Sequence, residues 1–120
     1  MDIEKILRKI RTHPHSHRMG MIASHLGVVR DSSRNGSPVK ELEVVYDLKI
    51  LDDIILKIKN LPGIIEVIVE INQGLLKVGD EILFVAVGGD IRENVFPALI
   101  EAVDMIKKDA SKKREILSGR

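Results

Sequence analysis

The chain has 120 residues, a formal net charge of +1, 44% apolar residues, no cysteine and only three aromatics, Phe84, Phe96 and Tyr46. That length fits one domain with a real core, while near-neutral charge and scarce aromatics argue against a nucleic-acid surface. The lack of cysteine excludes disulfides, thiolate nucleophiles and zinc–thiolate sites, fits a cytoplasmic protein, and is joined by the absence of any apolar run near the ~18 residues of a membrane span.

In chain order, Ile3, Ile6, Leu7 and Ile10 recur at helical spacing behind Asp2, a suitable N-cap, and Pro14 ends that helix. Residues 1–18 thus read as an N-terminal helix and a histidine-rich loop, His-Pro-His-Ser-His-Arg. His13, His15 and His17 alternate, so an extended backbone would put all three on one side. A metal, an anion or plain solvent are the alternatives there. Residues 19–29 read as a mostly buried strand, followed by a polar loop with a turn at Asn35-Gly36. Residues 39–46 alternate and are expected to return as the second, antiparallel arm of a hairpin.

Residues 48–60 place Leu48, Leu51, Ile55 and Ile58 on one helix face, closed by Leu61-Pro62-Gly63. Residues 64–71 read as a strand with Glu66 and Glu70 outward, 72–80 as a turn and short bridge, and 81–89 as a buried strand ending in Gly88-Gly89. The longest helix is expected from Asp90 to about Lys108, with Val95, Leu99, Ala102, Val103 and Ile106 as its stripe. Pro97 is tolerated if Asn94 is the true N-cap. Residues 109–120 read as a basic, mobile tail. The order predicts an α+β fold, mainly antiparallel sheet covered by helices, as a single domain over 1–120.

Three places could carry chemistry. Arg30, at a strand end, is placed to grip a phosphate or carboxylate in a fork; the plain alternative is a surface pair with Asp31 or Asp47. Gly88-Gly89 before a helix would let an anion approach the backbone, with Arg92 adding charge. No nucleotide-binding glycine motif is present, and the alternative is that the glycines serve only the turn. Lys107 follows Val103 by four, Ile100 by seven and Leu99 by eight residues, at the edge of the apolar stripe. It is either a partly desolvated lysine for anion capture or a stem covering core. Lys108, four from Asp104, belongs to the solvated face with ordinary ion pairs.

Two segments, GMIASHLGVVRDSSRNGSPVKELEVVYD and INQGLLKVGDEILFVAVGGDIRENVFPALIEAVDMIKKDASKKRE, resemble the catalytic (large) subunit of molybdopterin synthase over roughly residues 20–115. The features that carry it are G-x-V-R, G-x-L-x-V-G-D, the apolar strand before Arg92 and the closing Lys-Arg-Glu. The resemblance implies sulfur transfer from the C-terminal thiocarboxylate of a small ubiquitin-like subunit to cyclic pyranopterin monophosphate, forming the molybdopterin dithiolene. It implies Lys107 and Lys113 as catalytic residues, Arg30, Arg92 and Arg114 as substrate-binding residues, no metal and no permanently bound cofactor. It departs at Ile91, where the family has histidine, at Ile71-Asn72 in place of a His-Arg pair, and in ending soon after Glu115. A non-catalytic scaffold or regulator, and an acidic-surface or RNA binder using the basic tail, are the alternatives. His17 and Arg18 are the candidate rim residues that could stand in for the missing imidazole. Arg92 and Lys107 lie 15 residues apart, about 22 Å along one helix. The expected site is therefore composite, with Arg92 of one protomer meeting Arg30 and Lys107 of another in a homodimer. One small subunit at each end would complete a heterotetramer.

Overall fold

The computed structural model describes residues 1–118. Helix α1 (Ile3–Arg11) starts where Asp2 accepts the Lys5 N–H at 3.0 Å, and α2 (Leu48–Lys59) where Asp47 accepts the Ile50 N–H at 3.1 Å. Strands β1 (Met21–Val28), β2 (Val39–Tyr46) and β3 (Ile64–Ile71) form where the β-branched runs predict them. Residues 74–77, expected only as a bridge, form a fourth strand, β4 (Gly74–Lys77), and β5 runs from Glu81 to Gly89.

Every strand pair is antiparallel, but the strands divide into two sheets, β1-β5-β3 and β4-β2-β6, rather than one. The expected β1–β2 hairpin does not form. Instead β1 pairs with β5, and after an irregularity at Gly27/Val28 the chain crosses to the other sheet. The Asn35-Gly36 turn is present, with Gly36 at φ 87°, yet it closes the loop on itself through Gly36 N–H to the Ser33 carbonyl. Only Ser32 and Pro38 bridge its two arms as strand residues.

The expected mobile tail is also corrected. Ser111–Leu117 forms β6, an edge strand paired with β2 in the register Val44↔Lys113 and Leu42↔Glu115. An edge strand needs only one apolar contact line and tolerates charges along it, so four consecutive charged residues, 112–115, do not preclude it.

Helix α3 runs from Arg92 to Met105 and widens into a π turn, Ile106–Ala110, short of the regular helix expected to Lys108. Asn94 is not its cap: Ile91 holds that position, and Asn94 lies inside the helix, donating its amide to Asp90 at 2.9 Å. Pro97 therefore sits within the helix, where its missing N–H forfeits one bond near the start. Gly89 serves packing. A Cβ there would stand 2.6 Å from the Gly63 carbonyl oxygen and 2.7 Å from Val95, so the place offered to an anion is filled by protein.

β5 is buried on both faces, which explains its unbroken apolar run. Phe84 and Ala86 meet Ile6 and Ile10 of α1, while Val85 and Val87 face the main core with α2, α3 and the second sheet. Among the described residues no helix is long and apolar enough to cross a membrane.

Candidate functional site

Where the two sheets meet, a cleft of about 600 Å³ opens. Its walls are His25, Gly27 and Val28 of β1, Ile82 and Leu83 of β5, Leu42 of β2, and Lys113 and Glu115 of β6. Arg30 and Arg34 enter from the β1–β2 loop and Lys107 from the π turn. Four formal positive charges thus face one carboxylate. Among the described residues, none of the four cations is in an ion pair. Glu115 is the one carboxylate among the described lining residues, so the cleft carries an excess of positive charge that would attract an anion.

Local structure holds each cation in place. Ser33 is buried; its hydroxyl pairs with Asn35 and accepts the Ser37 N–H at 3.1 Å, stiffening the loop that presents Arg34. The Asp47 N–H donates to the Ala110 carbonyl at 2.8 Å, tying the end of the π turn to the start of α2. Lys107, predicted at the edge of a regular helix, is exposed to solvent within that turn. The π turn shifts it off the 3.6-residue pattern from which a partly covered position was expected.

Strand alternation separates the closing basic residues. Lys113 and Glu115 project from β6 into the cleft, whereas Arg114 projects from the other face and pairs with Glu43 directly opposite, Nε to Oε1 at 3.3 Å. Arg92 is likewise outside the cleft, at the far end of α3, paired with Glu93 at 3.5 Å. His17 and Arg18 lie in a 3₁₀ turn, Ser16–Arg18, before the Met21↔Gly89 end of the β1–β5 ladder. That is the end opposite Arg30, so neither forms the rim of this cleft. The three loop histidines are not extended but tilt against one another, ring centroids 5.7 and 6.2 Å apart. Among the described residues no group of three or more His, Asp or Glu side chains is arranged to hold a metal. Lys108 makes no pair with Asp104 or Glu101; Glu101 is taken by Lys57 at 3.9 Å.

The electrostatics agree with unneutralised charge. Desolvation first, then the charges of Lys107 and Arg34, hold the Lys113 amine below the usual lysine range. Burial first, then Lys107 and Lys113, hold the His25 imidazole below the ordinary histidine range. His25, Arg34 and Glu115 are polar residues of the cleft that the sequence did not assign to it. Arg34 follows Arg30 by four residues in one short polar loop, a spacing that could have suggested a shared target. His25 faces neighbours distant in sequence and gave no such signal.

A pH dependence follows. The unfolded chain protonates His25 below about pH 6.5, whereas the native chain resists protonation until a lower pH. The unfolded state then binds more protons, so stability falls as pH drops from about 6.5 toward the native value. Urea unfolding of the wild type and His25→Phe across pH 7.5–5 should show a shallower acid loss in the variant.

The fold and cleft together define an α+β protein with a cationic cleft at the seam of two antiparallel sheets. The MoaE protein family matches residues 1–109, and the chain belongs to that family. Among solved structures it is similar to molybdopterin cofactor biosynthesis protein E from Burkholderia multivorans ATCC 17616, at 26% identity and TM-score 0.77, covering 98% of this chain and 84% of that one. It also shares its fold with molybdopterin synthase from Staphylococcus aureus, at 24% identity and TM-score 0.73, over 86% and 78% of the two chains. A third likeness of fold is the complex of subunits 1 and 2 of molybdopterin-converting factor from Helicobacter pylori 26695, at 16% identity and TM-score 0.72, over 100% and 82%. Comparison with the curated proteins finds no match.

Proposed function

We propose that this protein is the sulfur-transferring subunit of a molybdopterin synthase, converting cyclic pyranopterin monophosphate into the molybdopterin dithiolene. The donor is the thiocarboxylated C-terminus of a small ubiquitin-like subunit. Membership of the MoaE family supports a role in molybdenum cofactor biosynthesis. The observation that carries the finer reading is the convergence of Arg30, Arg34, Lys107 and Lys113 on one cleft without a carboxylate partner among the described residues. The arginines suit the phosphate, and the lysines suit charge developing on the thiocarboxylate carbonyl oxygen. No resident cofactor has a part in this scheme. The small-subunit partner is supported by the two-subunit composition of the Helicobacter pylori complex.

Arg92, with His17 and Arg18 at the same end of the β1–β5 ladder, reaches such a cleft only from a second copy of the chain. A homodimer bearing one small subunit at each end is the assembly in which Arg92 joins Arg30 and Lys107 at one substrate. Arg114, held by Glu43, acts on the outer face of β6 and is not assigned to the substrate.

The test is a single turnover with thiocarboxylated small subunit and the pterin precursor, read as dithiolene product. Product formation is the expected result. An inactive wild type that still binds the small subunit would replace this reading with the scaffold one.

A further inference from the structure

The Nε2 atom of His25 is buried and has no hydrogen-bond partner among the described residues. Buried polar atoms are almost always paired, so an acceptor at a cavity wall with no protein partner points to a bond made with a group that enters the cavity. His25 shares one face of β1 with Gly27, and a Cβ at Gly27 would stand 3.4 Å from Nε2. The glycine leaves that atom uncovered by its strand neighbour. The donors that line the same cleft are the ammonium groups of Lys107 and Lys113 and the guanidinium groups of Arg30 and Arg34. Among the described residues the one carboxylate lining it is Glu115, and β5 contributes aliphatic side chains, with Val85 directly opposite His25.

We propose that His25 is a positioning residue: when an anion occupies the cleft, Nε2 accepts a hydrogen bond from the Lys107 ammonium and holds it toward the ligand. This deepens the reading of the cleft as an anion site and rests on it. Lys107 lines the same cleft as His25 from a widened turn outside both sheets, whereas Lys113 is anchored on β6. Lys107 is in no ion pair among the described residues, and its charge adds to the burial that disfavours the imidazolium. His25 is kept in the neutral form, whose lone pair can accept, by burial and by the surrounding cations. An unguided lysine samples many rotamers; an acceptor behind it reduces that freedom without adding charge to the wall.

The experiment is a double-mutant cycle on the full chain, with inorganic phosphate as probe and calorimetry as readout. His25→Phe keeps the ring volume and removes the acceptor, whereas His25→Gln keeps an acceptor and loses the ring. Phosphate affinity should fall about tenfold in His25→Phe and largely recover in His25→Gln. In a Lys107→Ala background His25→Phe should change affinity less than twofold, because the bond it removes is already absent. A purely space-filling role would reverse the ranking of Phe and Gln and overturn the proposal. Equal losses in both backgrounds would also overturn it. ¹⁵N NMR of the wild-type imidazole needs no variant: Nε2 should move on phosphate addition, and a silent Nε2 beside responding lysine signals refutes His25 alone. No phosphate response anywhere in the cleft would overturn the anion-site reading and this proposal with it.

Discussion

Replacing Lys107 with alanine is expected to slow the single-turnover conversion of the pterin precursor about 100-fold or more, with the unfolding midpoint unchanged. The side chain is exposed and in no ion pair among the described residues, so the fold does not depend on it. On the proposed function its charge serves where an oxyanion would develop, at a cleft wall whose apolar floor of Ile82, Leu83 and Leu42 weakens solvent screening. Lys108→Ala is the internal control, since that neighbouring lysine does not line the cleft. Lys107→Arg keeps the charge but spreads it over a planar fork, and should recover only part of the rate. Full activity in Lys107→Ala would reject the assignment.

The largest stability effect is expected at Phe84. It is 1% exposed and packs on the α1 side of the β1-β5-β3 sheet, beside Ile6, Ile10 and Ala86. Phe84→Ala removes the ring and leaves a cavity between α1 and the sheet, where Ile6, Ile10 and Ala86 lose their packing partner. The cost should be about 3–5 kcal/mol in urea unfolding. A loss under about 1 kcal/mol would mean that α1 contributes little to the cooperative unit. Because the cleft lies on the opposite face of that sheet, small-subunit binding by the still-folded fraction should be preserved.

How much of this was legible in the sequence depends on whether the information is local. The cap at Asp2, and the strands 39–46 and 64–71, follow from spacing and side-chain chemistry within a few residues. Strand partners do not. β1 and β2 look like a hairpin because Asn35-Gly36 lies between them, but pairing is decided by which apolar face each strand must bury. β6 was hidden because an edge strand with charges on both faces lacks the alternation that marks a half-buried one. The candidate site was partly visible for the same reason. Arg30 and Lys107 stood out by their places at a strand end and a helix edge, Lys113 through the family resemblance, and all three line the cleft. Arg92 and Arg114 were not separated from them, because ion pairs with Glu93 and Glu43 depend on register and side-chain direction. His25 acquires its chemistry only from residues about 60 to 90 positions away.

Lys107 and Lys113 are separated by only five residues, yet they stand on different units: one closes the helix packed on the first sheet, the other rides the edge strand of the second. A ligand held by both lysines therefore cross-links the sheets, and its binding equilibrium is coupled to the docking of β6. Occupancy makes that edge harder to fray, and fraying makes the ligand easier to lose. Release of such a ligand and loosening of the last strand are then coupled events.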